Sequence, residues 1–287
     1  NKIKKFKPML PNYSSYQTQP EKLDLGMNNT PVLNQGIHGS CVTFASTAAL
    51  DALIGKGDYI SQLCSLSLGS YLASQNFNYP SGWEGSWGNI VIKQLFKYGI
   101  ISMQYQEGEG CGGLKTYPVW DPSQNGDNMT AKEYTRVSES IQDKFEWNIV
   151  LNITDAFNGN YNPNKLIENI KVNLNNGNRI IFGVLLDVNY GHIGAAGSYN
   201  APNDTWMVTP KIEKDLNAEN ELAGHAMIII GYDDNAVVKS SDGAKNKGLF
   251  ILRNSWGNSA GDNGNYYMSY DHFKLLTLEA HSLKVKS

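Results

Sequence analysis

The chain has 287 residues, of which 41% are hydrophobic, so it is long enough to bury one large core or two smaller ones. Its formal net charge of -3 gives no basic surface for nucleic acid, and no apolar run approaches the roughly 18 residues of a membrane span. Composition therefore predicts a soluble globular protein with no nucleic-acid partner and no membrane span, acting on small or peptide-like substrates.

The first 22 residues contain three prolines and no apolar signal-peptide segment, which predicts an N-terminal extension outside the core. The core is expected to begin near Leu23. From Cys41 to Ile54, small and apolar residues recur at helical spacing until Gly55 ends the run. This pattern predicts a buried helix that starts at Cys41.

Similar periodicity predicts helices over residues 66–75 and 88–98, and another over 165–174 behind the Asn162-Pro163 start signal. Short apolar or aromatic runs bounded by Gly, Asn and Asp then predict strands at 180–186, 226–232, 248–253 and 265–269. The order favours an α+β fold with a mainly helical subdomain (23–155), a mainly β subdomain (156–287) and a cleft between them.

Three cysteines are too few for a disulfide scaffold, and no C-x-x-C pair indicates a zinc site. If Cys41 is a free thiol, Cys64 and Cys111 either form one disulfide in an oxidising compartment or remain two buried thiols. Their spacing leaves both alternatives open.

Three residues at element boundaries could act together. Cys41 follows a turn of small residues at a helix start, where free N-H groups and the helix dipole lower a thiol pKa from about 8.5. His225 stands directly before a predicted strand, and Asn254 directly after another. Considered one at a time, Cys41 is explained as a buried thiol, His225 as an ordinary hydrogen-bonded histidine and Asn254 as a turn residue. Together they provide a nucleophile, its base and an orienter of the base.

From about Leu23 to about Asp271, the chain resembles the papain family of cysteine peptidases. The resemblance is carried by residues 30–36, by Gly39-Ser40-Cys41 with Phe44 and Ala45, by residues 224–226 and 231–232, by Asn254-Ser255-Trp256-Gly257, and by Asn263-Gly264. It implies a papain-like two-subdomain fold with a helical left and a β-sheet or barrel right subdomain. It also implies a peptide or protein substrate and no metal or organic cofactor.

The resemblance assigns further roles. Gln35 is implied as the side-chain donor of the oxyanion hole, beside the Cys41 backbone N-H, and Trp256 as a shield for the hydrogen bond between His225 and Asn254.

For substrate binding, Gly85 is the leading candidate to pair with the substrate main chain, with Ser86 and Gly224 beside it. Trp87 either lines the pocket for the second residue before the cut, which favours an apolar or aromatic side chain, or is a packed surface tryptophan.

Four positions depart from the family pattern. His38 and Trp83 stand where the family has a disulfide pair, so packing must replace that bridge. Val42 and Ala260 stand where tryptophans are usual, which predicts a more open cleft wall on the leaving-group side.

The connection from Asp187 to Leu222 is long and polar. It could restrict one end of the cleft, dock a partner, or be a tolerated surface insertion, and the last interpretation is slightly favoured.

The predicted function is peptide-bond hydrolysis through an acyl-enzyme. Alternatives are a deamidase or transglutaminase-like acyl transferase, or a non-enzymatic binding protein on a peptidase fold. The family further implies export and control by an inhibitory pro-segment or a protein inhibitor, and the chain is expected to be a monomer. Because only about 22 residues precede the core, the chain is either a processed form or differently controlled, and residues 1–22 are predicted not to block the cleft.

Overall fold

The helical half contains three principal helices. In the computed structural model, which describes residues 18–188, 191–218 and 222–287, they are α1 (Cys41–Ile54), α2 (Gln62–Gln75) and α3 (Gly88–Tyr98). The first and third have the predicted bounds. The second begins four residues earlier than predicted, because the Ser61 hydroxyl accepts the Cys64 N-H and caps the helix there.

Shorter helices complete the helical elements of the described chain. They are α4 (Met103–Gly108), α5 (Ala131–Val137), α6 (Ile153–Asn158), α7 (Pro163–Asn175), α8 (Pro210–Asn217) and α9 (Tyr270–Leu276), with one 3-10 turn at Gly191–Gly194. Of these, the sequence predicts only α7, and Pro163 is its first residue behind the Asn162 cap, as expected for the asymmetry of helix ends.

The described chain forms one mixed sheet of nine strands. They are β1 (Lys22–Asp24), β2 (Phe145–Leu151), β3 (Ile180–Asp187), β4 (Gly197–Ser198), β5 (Thr205–Trp206), β6 (Leu222–Ser240), β7 (Lys245–Arg253), β8 (Asn265–Ser269) and β9 (Thr277–Val285). The strand order is β2-β9-β3-β6-β4-β5-β8-β7, and β6 also pairs with β7. These pairings close β6, β4, β5, β8 and β7 into a ring, which gives this half its barrel-like form.

Helix α1 packs against β6, and this contact joins the two halves. Twelve of its fourteen residues are buried, and the eight apolar ones among them belong to a core cluster that also contains Ala226, Ile228 and Ile230 of β6. The opposite face of the sheet is covered by α7 and α9 in a second cluster. The predicted α+β architecture is confirmed. Strand β2 lies before residue 155 but pairs with β9, so it is part of the sheet.

Of the predicted N-terminal extension, residues 1–17 lie outside the described part of the chain. Lys22 begins β1, which pairs with β6 at Gly231–Asp233, and the Tyr232 hydroxyl donates to the Pro20 carbonyl at 2.8 Å. Residues 18–22 are not among those that line the cleft described below.

Candidate active site

Cys41 is the first residue of α1 and is 8% exposed. Among the described residues, it is the cysteine that is not part of a disulfide. The residue before it, Ser40, occupies the N-cap position without a side-chain capping bond. The hydroxyl of Ser40 contacts Tyr117 Oη at 2.8 Å instead, so the first N-H groups of α1 are left for a ligand at the sulfur.

Burial raises the pKa of the Cys41 thiol, and the N-H groups of Ala226, Val42 and Cys41 itself lower it by a smaller amount. The net direction is opposite to the lowering that a helix start by itself predicts. The physical reason is the loss of water around the sulfur, which penalises the thiolate more than the nearby N-H groups stabilise it. The contact with Ala226 places the sulfur beside the residue that follows His225.

His225 is held by Asn254 in a defined tautomer. The Asn254 Oδ1 lies 2.8 Å from His225 Nε2 and also 2.8 Å from the Ser255 backbone nitrogen. Because a backbone N-H only donates, the shared Asn254 atom is the oxygen and His225 Nε2 carries the proton. In the neutral ring, His225 Nδ1 therefore has a free lone pair, which a base requires.

Trp256 covers this pair. Its ring stacks on the His225 imidazole with a centroid distance of 4.7 Å and an interplanar angle of 27°. The edges of Trp206 and Tyr266 pack against Trp256 in turn. Burial lowers the pKa of His225 to about 4, and the hydrogen bond to Asn254 opposes that effect. The imidazole is therefore neutral in the unliganded cleft near neutral pH.

Gln35 lies on the other side of the cleft with a fixed amide orientation. Its Nε2 donates to the His38 carbonyl at 3.0 Å, and its Oε1 accepts the Ser255 hydroxyl at 2.8 Å. Since a carbonyl only accepts, the first bond identifies the nitrogen. The second hydrogen of the Gln35 amide has no hydrogen-bond partner within the described residues.

The backbone around Gln35 is held by the Asn254 motif. The Gln35 N-H donates to the Ser255 carbonyl at 2.8 Å, and the Gly257 N-H donates to the Leu33 carbonyl at 3.0 Å. Gly36 adopts φ +60, and a Cβ there would lie 1.9 Å from the Val119 carbonyl oxygen. Only glycine therefore fits this close turn.

Aromatic packing occupies the place of the missing disulfide. The His38 ring lies edge-on to Trp83 with a centroid distance of 5.0 Å, and Trp83 stacks on Tyr117 at 5.8 Å. The Tyr117 hydroxyl donates to the Gln35 carbonyl at 2.7 Å. His38, Trp83 and Tyr117, called the aromatic cluster below, therefore support the turn before Cys41 by packing.

The remaining cysteines form a disulfide, Cys64–Cys111, which connects α2 to the segment after α4. Both are buried in a third hydrophobic cluster with Leu63, Leu66 and Tyr134. The structure thus shows the disulfide, one of the two alternatives that spacing left open, and the bond ties the polar stretch around Cys111 to α2.

A cleft of about 820 Å³ brings the predicted site residues together. All but the buried Asn254 line it, and they are Gln35, Cys41, Gly85, Ser86, Trp87, Gly224, His225 and Trp256. Gly85 has φ +119 and open space at its Cα, as a pairing partner for a peptide main chain requires. Trp87 also lines this cleft and is 39% exposed.

Several residues of the site were not found from the sequence. Ser255 orients both Gln35 and Asn254, although it stands inside the recognised Asn motif. Phe157, Val188 and Ile193 line the cleft with exposed apolar side chains. No periodicity or motif marks these three, because each lies in a turn or a short helix that only the tertiary structure brings to the cleft.

The described residues contain no group of three or more His, Cys, Asp and Glu side chains arranged to hold a metal ion. Within the same ranges, no helix is both long and apolar enough to cross a membrane.

Comparison with known proteins gives a partial family match and a clear fold. The family described as papain family cysteine protease matches residues 201–283, which include His225 and Asn254. No curated protein matches the sequence. The resemblance to the papain family is confirmed by this match and by the solved structures below.

Three solved structures illustrate the fold. Xylellain, a cysteine protease from Xylella fastidiosa, has a TM-score of 0.61 at 20% identity, covering 94% of this chain and 88% of that one. The clostridial cysteine protease Cwp84 after propeptide cleavage has a TM-score of 0.57 at 18% identity, covering 93% and 58%. The bromelain protease from Ananas comosus in complex with the E64 inhibitor has a TM-score of 0.52 at 18% identity, covering 93% and 99%.

These likenesses confirm the predicted papain-like fold. With the family match, they support the predicted class of enzyme, a hydrolase of the cysteine peptidase type.

Proposed function

We propose that the chain hydrolyses peptide bonds with Cys41 as nucleophile, His225 as base and Asn254 as the residue that orients the base. The observation that carries the proposal is the shared Asn254 Oδ1, which accepts from both His225 Nε2 and the Ser255 N-H. This contact leaves His225 Nδ1 unprotonated in a cleft that Cys41 also lines.

The reaction begins when the Cys41 sulfur attacks the peptide carbonyl carbon and its proton passes to His225 Nδ1. The negative charge on the carbonyl oxygen is stabilised by the free Gln35 amide hydrogen and the Cys41 backbone N-H. The protonated His225 then gives its proton to the leaving nitrogen as the C-N bond breaks, and a thioester remains on the sulfur.

Hydrolysis of the thioester reverses these roles. Water gives a proton to His225 Nδ1 and attacks the thioester carbonyl, and the departing sulfur takes the proton back. Asn254 holds the ring in one orientation through both halves of the reaction, and Trp256 keeps water away from their hydrogen bond.

Two rival functions use the same residues differently. Deamidases and transglutaminase-like enzymes usually orient the histidine with a carboxylate, whereas an amide does so here. A binding protein without activity needs neither the free Gln35 hydrogen nor the fixed His225 tautomer. The site geometry therefore favours the peptidase.

The proposal includes the finer features of the cleft. Gly85, Ser86 and Gly224 contact the substrate main chain, and Trp87 receives an apolar side chain two residues before the cut. The chain works as a monomer without a cofactor.

Export to an oxidising compartment is supported by the Cys64–Cys111 disulfide. Control by a removable pro-segment is supported by the likeness to Cwp84, a protein whose propeptide is cleaved.

The test is covalent labelling with an epoxide inhibitor of papain-family enzymes, read as intact mass between pH 4 and 9. We expect one label on the wild type above about pH 5, where His225 is neutral, and none on Cys41→Ala. The variant His272→Gln is the matched control, because His272 is a buried histidine outside the cleft.

Labelling of wild type and His272→Gln but not of Cys41→Ala, together with cleavage of a randomised peptide mixture, would support the proposal. A folded, reduced wild type that takes no label would contradict it and favour the binding-protein alternative. Labelling without peptide cleavage, but with release of ammonia from glutamine peptides, would favour the deamidase.

A further inference from the structure

Some of the exposed apolar side chains lie together in the cleft. Four of the eleven large ones among the described residues line it, and they are Trp87, Phe157, Val188 and Ile193. Exposed apolar groups that gather at one concave site mark a binding surface, whereas single ones scattered over a protein need no explanation. The last two belong to the connection between β3 and β6, so this part of the connection is a cleft wall and not a separate surface insertion.

Strand β3 runs along the cleft and separates its two ends. At one end, Gly183 pairs with Glu279, whose carboxylate accepts the Gly88 N-H at 2.6 Å. Gly88 follows Trp87, so this end holds Gly85 and Trp87, the proposed contacts for the acyl side of the substrate. Farther along β3, Val184 pairs with His225.

Val188 directly follows the last residue of β3, Asp187, which lies about 10 Å along the strand from Val184, so Val188 is at the opposite end of the cleft. His225 stands between the two ends and delivers the proton to the leaving amine. The Val188 end is therefore the side on which the departing part of the substrate lies.

Ile193, like Val188, belongs to the connection after β3, and a chain of contacts links it to His225. Its carbonyl accepts the Trp206 Nε1 hydrogen at 2.9 Å, and Trp206 packs edge-on against Trp256. Trp256 in turn stacks on His225. The position of Ile193 is thus coupled to the histidine through two rings and one hydrogen bond.

The backbone of Ile193 is strained. It adopts φ +53, a left-handed conformation that β-branched residues rarely take because Cβ approaches the backbone too closely. Glycine or asparagine would occupy this position with less strain. The isoleucine side chain is nevertheless 43% exposed in the cleft, so its burial stabilises the folded protein less than that of a core isoleucine. Strain retained at a cleft wall without a packing benefit points to a role in binding.

We infer that Val188 and Ile193 form an apolar subsite for the first residues after the scissile bond, so that the enzyme prefers peptides with an apolar residue there. The inference rests on the proposed peptidase function and adds the substrate class on the leaving side. It also explains why Val42 and Ala260 can stand where tryptophans are usual, since the β3–β6 connection supplies apolar surface to that side of the cleft.

The test compares wild type with Ile193→Asn and Ile193→Gly on a peptide mixture randomised on both sides of the cut, with cleavage sites read by mass spectrometry. Two peptides with one acyl half and either Leu or Ser after the cut then give kcat/KM. A third substrate joins the same acyl half to a small fluorogenic amine, so it has no residue after the cut.

We expect wild type to prefer Leu to Ser by about tenfold, a typical discrimination for an apolar pocket. Both variants should reduce this ratio to about twofold or less. The ratio cancels any effect on the chemistry that is common to both peptides, and the rate on the small amine substrate measures that common effect. Neither variant should unfold at a lower temperature than wild type, because both relieve the strain at φ +53. Val237→Asn, another exposed apolar residue but outside the cleft, is the control and should leave the ratio unchanged.

A wild type without preference after the cut, or an Ile193 variant that keeps the full preference, would overturn the inference while peptide cleavage still supported the peptidase. A wild type that neither takes the epoxide label nor cuts any peptide would instead refute the peptidase, and this inference with it.

Discussion

The helical half and the sheet half of the molecule hold their parts of the site by different means. In the sheet half, His225 is the fourth residue of β6 and not, as predicted, the residue before the strand, because β6 begins at Leu222, where it pairs with Asp187. Asn254 directly follows β7, and both residues fall within the stretch that matches the papain family. In the helical half, Gln35 and Cys41 lie outside that stretch, and their turn rests on the aromatic cluster instead of the family's disulfide.

The difference reflects how much each environment constrains its residues. Strand register and the shared Asn254 oxygen require particular groups at particular positions. The residues that pack beneath the turn before Cys41 only have to fill the space there and offer a few hydrogen-bonding groups. The aromatic cluster can therefore replace a disulfide at this place. The half held by packing can therefore diverge in sequence while the geometry at Gln35 and Cys41 is kept.

The largest effect is expected in the helical half, where two variants distinguish a catalytic role of a glutamine from a packing role. Gln35→Ala removes the free amide hydrogen proposed for the oxyanion and should lower kcat/KM by about 10² to 10³-fold, mainly in kcat. Gln106→Ala is the matched control, a buried glutamine bonded to Ser61 away from the cleft, and it should cost stability but little activity. Equal activity losses in the two variants would mean that Gln35 acts only through packing.

The next effect concerns the covalent link that the helical half does have. Replacing both Cys64 and Cys111 by alanine should lower the free energy of unfolding by about 2 to 4 kcal/mol. Activity at 25 °C should stay within a few-fold of wild type, because neither residue lines the cleft. Denaturant unfolding of the double variant, with Cys41→Ala as a control that keeps the disulfide, measures the loss. An unchanged stability would show that the third hydrophobic cluster suffices without the bond.

The last effect is a pH dependence in the sheet half, and its test removes the contribution of one histidine. Burial lowers the pKa of both His225 and His272 to about 4, from 6.5 in the unfolded chain. Between pH 4 and pH 6.5 these histidines bind more protons in the unfolded chain than in the folded one. The free energy of unfolding is therefore highest, with respect to these two groups, above pH 6.5 and decreases as the pH falls toward 4. Each histidine contributes at most about 3 kcal/mol to this loss.

Urea unfolding from pH 4 to 7 tests this expectation. His272→Gln should flatten the dependence, because glutamine does not titrate, whereas the substitution leaves His225 in place. If wild type and His272→Gln showed the same dependence of stability on pH, burial would not lower the pKa of His272 in the folded protein.

The amino-acid sequence by itself determined the start and end of α1 and α3, the positions of the central strands, and the three residues proposed for catalysis. These features depend on local signals: apolar periodicity, a glycine stop, and chemically distinctive residues at element boundaries. The terminal strand β9 was missed, because its pairing with β2 and β3 joins segments far apart in the chain.

Tertiary structure alone decided how these parts meet. It paired Cys64 with Cys111, built the aromatic cluster, and brought Phe157 and Ile193 to one cleft. It also reversed the direction expected for the Cys41 pKa, because a helix start favours the thiolate while burial against β6 removes the water that would stabilise it. Spacing along the chain carries no information on such burial, since it arises from residues on the other half of the fold.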